Sequence, residues 1–342
     1  MKFLLSCAAL LVAISAQAKD YPVDDSYSVS QRFYAYRDKH PELKEPVLTF
    51  TEGQKVLFDR RYKVADDREL HLDVFQPAED KANQQAIMLI HGGGWRSGNK
   101  SHFYAMANLL AQRGYVVFTP EYRLSMEAQY PAGLVDINDA IVYVKAHAAA
   151  FGFDPTRLAI GGGSSGGHMA GLIGNTANTS LFKGETPDAD TRVHAVVDLD
   201  GVLDFTHPLA LASENKRKDK SAAGMWFGGA YEDTQAKWEE ASTAKHIDAD
   251  SPPMLIISSG QMRFTAGKDE VLSKLHEHAI ASEYFQYEDN IHTFWLFEPY
   301  LSETVARIDH FLSQTALTHN ESARVAKPHT DNSKATHSPG VH

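Results

Sequence analysis

The sequence is short of cysteine, of long apolar runs and of positive charge. Cys7 is the only cysteine in 342 residues, which excludes an intramolecular disulfide. Lys and Arg number 33 against 44 Asp and Glu, a formal net charge of −11. A chain this acidic has no electrostatic reason to track a phosphate backbone, so nucleic acid is not an expected partner. No block of like charges marks a charged tail. Beyond residue 18 no apolar stretch is long enough to cross a bilayer. What is present, 43% hydrophobic and 23% charged residues, is enough for one large core or two small ones.

Met1 and Lys2 form a minimal positive start, residues 3–15 an apolar run, and Ala16, Gln17 and Ala18 an A-x-A site. This predicts a secretory signal peptide over residues 1–18 and export to the periplasm or medium. Cys7 lies too early in the run for a lipoprotein signal. Residues 19–46 lack clear periodicity and read as an arm packed on the domain surface. A catalytic-size domain follows over residues 47–315. Residues 316–342, rich in Ser, Thr, Asn, His, Pro and Lys, read as a disordered tail. The irregular spacing of its histidines gives no metal site.

Within the domain, residues 56–64 and 70–75 predict two strands, the second alternating Leu70, Leu72 and Val74 with His71, Asp73 and Phe75. Residues 86–90 form a continuous apolar run that ends at glycines, as a strand buried on both faces does. Further strands are expected at 115–118, 158–160, 193–199, 254–257 and 282–287. Helices are expected at 103–113, 134–149, 165–174 and around 305–311. This alternation predicts an α/β fold, a mostly parallel sheet with helices on both faces. Residues 203–250, with Trp226 and Trp238, interrupt it as a small helical insertion.

Three segments carry chemistry. Gly161, Gly162, Gly163, Ser164, Ser165, Gly166, Gly167 and His168 follow a predicted strand and precede a predicted helix. That is the setting of a nucleophile elbow, where glycines permit a sharp turn and the helix N-terminus supplies free N–H groups. G-x-S-x-G fits in two registers, and spacing alone does not choose between Ser164 and Ser165. Gly161, Gly163 and Gly166 also match G-x-G-x-x-G, a dinucleotide fingerprint. That match sits mid-chain, and no clear strand-end acid follows about twenty residues on. The second segment is His91, Gly92, Gly93, Gly94 and Trp95, directly after the strand at 86–90. Consecutive glycine N–H groups there suit an oxyanion hole. The third is His292, after the last predicted strand, where a general base for the serine belongs.

Residues 157–170 (Arg-Leu-Ala-Ile-Gly-Gly-Gly-Ser-Ser-Gly-Gly-His-Met-Ala), with 91–95, Tyr122-Arg123-Leu124 and Tyr130-Pro131-Ala132, resemble the α/β-hydrolase superfamily. The branch they most resemble is that of hormone-sensitive-lipase-like and feruloyl- and acetyl-xylan-esterase-like esterases, over about residues 56–313. The resemblance implies Ser164 as nucleophile, His292 as base, and the N–H groups of Gly93, Gly94 and Ser165 as oxyanion donors. It implies a serine esterase with no cofactor or metal, acting on short acyl esters, acetyl first, of polysaccharides such as xylan or pectin. A general short-chain carboxylesterase and a non-catalytic binding protein of the same fold are the alternatives. Trp95, Trp226 and Trp295 are aromatic candidates for stacking on a sugar, Trp95 first.

The sequence departs from the family at the acid. The segment after the strand at 254–257 reads Gly260, Gln261, Met262, Arg263, so arginine fills the usual carboxylate slot. Asp200, just past the preceding strand, and Asp269, at a helix start, are the two candidates, with Glu270 behind them. Arg263 is either a contact for an anionic substrate or a surface residue. Nothing in the sequence sets the oligomeric state.

Overall fold

The computed structural model describes residues 24–325, with side chains to residue 315. The expected signal peptide and residues 326–342 lie outside the described residues. Two antiparallel strands, β1 (Lys55–Ala65) and β2 (Arg68–Gln76), turn at Asp66 and Asp67 and form one edge of an eight-stranded sheet. Then come β3 (Ala86–Ile90), β4 (Val116–Pro120), β5 (Leu158–Gly163), β6 (Ala195–Leu199), β7 (Met254–Ser258) and β8 (Ser282–Gln286). Their spatial order is β1-β2-β4-β3-β5-β6-β7-β8, antiparallel from β1 to β4 and parallel from there on. The chain moves from β3 outward to β4, then crosses to β5 on the other side of β3. Such a reversal leaves a crevice at the carboxyl ends of the strands.

The helices are α1 (Val29–Tyr36), α2 (Tyr104–Gln112), α3 (Ala132–Ala146), α4 (Ala148–Phe151) and α5 (Ser165–Thr176) in the first half. The second half holds α6 (Pro208–Glu214), α7 (Ala222–Phe227), α8 (Tyr231–Glu240), α9 (Lys268–Glu277) and α10 (Tyr300–Val325). The period of two in β3 divides the core. Ile87 and Leu89 pack with α2 and α10, while Ala86, Met88 and Ile90 pack with α3 and α5. Both faces are covered, which is why the central strands read as unbroken apolar runs.

Three expectations are corrected here. The arm contains a helix, α1, capped at Ser28 by a reciprocal pair with Gln31, a local signal that hydrophobic periodicity does not carry. The tail expected to begin at 316 is helical in its first ten residues, because α10 runs to Val325 and the first helix-breaking proline after it is Pro328. Trp226 and Trp295 offer no face to a sugar, since both are 1% exposed core residues.

Candidate active site

Ser164, Ser165, His292, Asp200, Gly93, Gly94 and Trp95 line one cavity at the carboxyl end of the sheet, while the candidate acids Asp269 and Glu270 lie apart on α9. Ser164 stands between β5 and α5 with φ 56° and ψ −122°, outside the ordinary regions for a non-glycine residue. Such a conformation costs about 1–3 kcal/mol and persists only where the surroundings hold it. Here the Ser164 N–H donates to Leu199 O at 2.8 Å, tying the turn to the end of β6. Gly166 must be glycine, because a Cβ there would collide with the carbonyl oxygen of Ile90 at the end of β3. The turn and the oxyanion loop are thereby pressed together.

His292 lies in the loop after β8. Its Nε2 accepts the Ser164 Oγ–H at 2.9 Å, and its Nδ1–H donates to Asp200 Oδ2 at 2.9 Å. Asp200 is fully buried and fixed on both sides. Its N–H donates to Ile257 O at 2.9 Å, and its Oδ1 accepts the Ser259 N–H at 2.8 Å. The carboxylate that meets His292 therefore comes from the end of β6, not from the loop after β7. Asp269 is set aside: it lies in the first turn of α9, its side chain 85% exposed and paired with Lys268. Glu270 pairs with Lys274 at 2.9 Å.

The surroundings of the imidazole favour its neutral form. Burial pushes the His292 pKa below the usual histidine value, against the pull of Asp200, and the positive charges of Arg263 and Arg32 push the same way as burial. Phe264 lies flat on the ring, centroids 3.3 Å apart and 7° from parallel, and Trp295 meets it edge-on at 5.5 Å. These contacts fix the ring plane that joins serine to aspartate. Phe264 has no signature in the sequence, because stacking across two loops leaves no local pattern.

The second glycine segment curls beside the serine. Gly93 has φ 129°, and a Cβ there would strike the carbonyl oxygen of Ser97, so only glycine fits. Gly93 O accepts the N–H groups of Arg96 and Ser97, closing the turn. Among the described residues the N–H groups of Gly93, Gly94 and Ser165 have no backbone acceptor, and all three residues line one cavity with Ser164 and His292. Ser165 begins α5, whose N-terminal dipole also points there. His91 is no second base. It is buried with its pKa pushed down to about 3, its Nδ1–H donates to Gly92 O, and it stacks on Tyr122.

The cavity measures about 520 Å3. Trp95 borders it, but the indole stacks on Trp226 at 4.9 Å and donates its N–H to His168 Nδ1 at 3.3 Å. It is 6% exposed, so it supplies wall, not an open stacking platform. Arg263 is an exposed residue that also borders the cavity. Arm residues Ser26, Tyr27 and Arg32 close one side, a contribution that sequence reading missed.

A parallel-core sheet, a serine on a strained strand–helix turn and a histidine linked to a buried aspartate define an α/β-hydrolase. Within that class the chain belongs to the BD-FAE family, whose model matches residues 72–264. The match takes in Ser164 and Asp200 and ends before His292. Among curated proteins, the chain is 33% identical over 198 residues to the probable carboxylic ester hydrolase LipM of Mycobacterium tuberculosis, covering 55% of this chain and 44% of that one. The chain spans about half the length of the curated relatives it matches. Among solved structures, a truncated carbohydrate esterase from gut microbiota superposes with TM-score 0.64 at 21% identity, over 80% of this chain and 100% of that one. A thermophilic esterase from the Planctomycetes species Thermogutta terrifontis, with butyrate bound, gives TM-score 0.60 at 23% identity over 77% and 94% of the two chains. At these identities the structural likeness concerns the fold.

Proposed function

We propose that this chain is an exported serine esterase that hydrolyses short acyl esters, acetyl esters on polysaccharides such as xylan or pectin first among them. The observation that carries the reading is the unbroken hydrogen-bond chain Ser164–His292–Asp200 beside three unclaimed N–H groups. Ser164 Oγ attacks the ester carbonyl carbon and passes its proton to His292 Nε2. The oxyanion is held by the N–H groups of Gly93, Gly94 and Ser165. Asp200 stabilises the imidazolium, which returns the proton to the departing alcohol and leaves an ester on Ser164. Water, activated by His292, then releases the acid and restores the serine. The curated relatives, a probable carboxylic ester hydrolase and an esterase by name, support ester hydrolysis. A binding-only reading would rest on arginine in the usual carboxylate slot, and Asp200 beside His292 supports catalysis instead.

The test is acetate release from acetylated xylan and acetylated pectin, with Ser164→Ala as the blank. Release by the parent alone, with the variant down by several powers of ten, is the expected result. Turnover of a small chromogenic acetate ester without polymer release would leave a general short-chain carboxylesterase. Silence on both would end the esterase reading. Export is checked separately, by sequencing the N-terminus of protein recovered outside the cytoplasm, which should begin at Lys19.

A further inference from the structure

The cavity that would receive the ester is unevenly charged. Four arginines line it, Arg32, Arg96, Arg217 and Arg263, against two carboxylates, Asp200 and Glu214. Two of these six are already matched. Arg96 donates to Asp24 at 2.6 Å, and Asp200 is taken up by His292 and Ser259. Glu214 accepts the Ala223 N–H at 3.3 Å. The other three arginines meet no carboxylate among the described residues. Arg263 Nη1 donates to Ser213 Oγ at 3.0 Å, and its guanidinium lies 3.9 Å from the Phe264 ring centre. Arg32 lies 5.8 Å from the Tyr27 ring, and its Nε is buried without a hydrogen-bond partner. Arg217 extends from the insertion as an exposed residue.

This surplus belongs to a chain of net charge −11, so it is not the overflow of a basic surface. The arginines also come from three separate parts of the chain: the arm, the insertion and the loop after β7. Their convergence on one cavity is a tertiary arrangement. Guanidinium is weakly hydrated, and its fork of donors matches a carboxylate, so it surrenders water for that partner more readily than an ammonium does. A cleft lined by one sign of charge also concentrates oppositely charged solutes.

Resting on the serine-esterase reading above, we infer that the substrate carries a carboxylate close to its scissile ester, held by Arg32, Arg217 and Arg263. The acid sits either on the alcohol side, as in an acetylated uronate, or on the acyl side, as in the half-ester of a dicarboxylic acid. Among acetylated polymers, this favours a backbone of sugar acids over one of neutral sugars.

The experiment uses the full chain and two matched ester pairs at low salt, with Ser164→Ala subtracted as the blank. Phenyl acetate against 3-acetoxybenzoate reads the alcohol side. 4-Nitrophenyl butyrate against 4-nitrophenyl hemisuccinate reads the acyl side. The expected result is a kcat/KM about tenfold or more higher for the charged member of one pair, which assigns the side. That preference falls toward one at ~1 M salt, where exposed charges are screened within about 3 Å. It also falls in Arg32→Gln, Arg217→Gln and Arg263→Gln. Neutral esters turned over with no preference in either pair would overturn the carboxylate inference alone. A preference that survives all three substitutions, both members slowing together, would overturn it too and make the arginines structural. Hydrolysis of none of the four esters would instead overturn the esterase reading on which it rests.

Discussion

The two sides of the cavity hold their side chains by different means. On one side stand Ser164, Asp200 and the glycine loop, each leaving the end of a strand. Their backbone is locked into neighbouring strands: Ser164 N–H on Leu199 O, and Asp200 N–H on Ile257 O. On the other side stand Arg32, Arg217 and Arg263, on a short helix, an insertion and a loop. There the guanidinium groups of Arg32 and Arg263 rest on rings and a hydroxyl, and Arg217 is exposed. In the proposed reading, chemistry that tolerates little displacement is built on the sheet, and recognition at longer range on its attachments.

The sharpest way to break this contrast is to neutralise one acid on each side of the question. Asp200→Asn keeps the shape but leaves His292 in the wrong tautomer, and kcat should fall about 10³–10⁴-fold. Asp269→Asn, on the surface of α9, should leave kcat within a factor of about two, as surface substitutions usually do. Equal losses in both variants would contradict the assignment of the acid. Next in size is Gly93→Ala. The added Cβ meets the Ser97 carbonyl, and displacing the donor loop should cost about 10²–10³-fold in kcat. Circular dichroism and melting would show whether the fold survives the change.

The smallest effect concerns pH and joins the two sides. His292 must be neutral to accept the serine proton, and burial lowers its pKa. Lowering a histidine pKa keeps the base form present to lower pH. The acid limb of kcat/KM should therefore lie below the unperturbed histidine value of about 6.5. Arg263 pushes in the same direction, so Arg263→Gln should move the limb upward. A limb unmoved, or moved downward, would mean that the arginine does not reach the imidazole electrostatically.

The strand-borne side was legible in the sequence because its rules are local. Glycines before and after Ser164, and an apolar run ending at His91, announce turns whose geometry depends on those residues. The α/β alternation followed from the same runs. The acid was legible only as a pair of candidates, since both Asp200 and Asp269 stand where strands or helices begin and end. Choosing between them needs the distance from His292 across 92 residues of chain. The arm was legible as an arm, but its helix, its share of the cavity and the role of Phe264 were not. Partners far apart in sequence decide their roles, and α1 itself buries no residue completely. Trp95, Trp226 and Trp295 show the reverse error: a ring suited to a sugar is equally suited to a core, and here the core took them.

Helix α1 is eight residues long and pairs with no strand of the sheet. Its Arg32 nevertheless lines the same cavity as Ser164. If the substrate carries the inferred carboxylate, its recognition is modular in this molecule. The charge presented to an incoming ester can be rewritten in an appendage, without altering a strand register, a catalytic distance or the core.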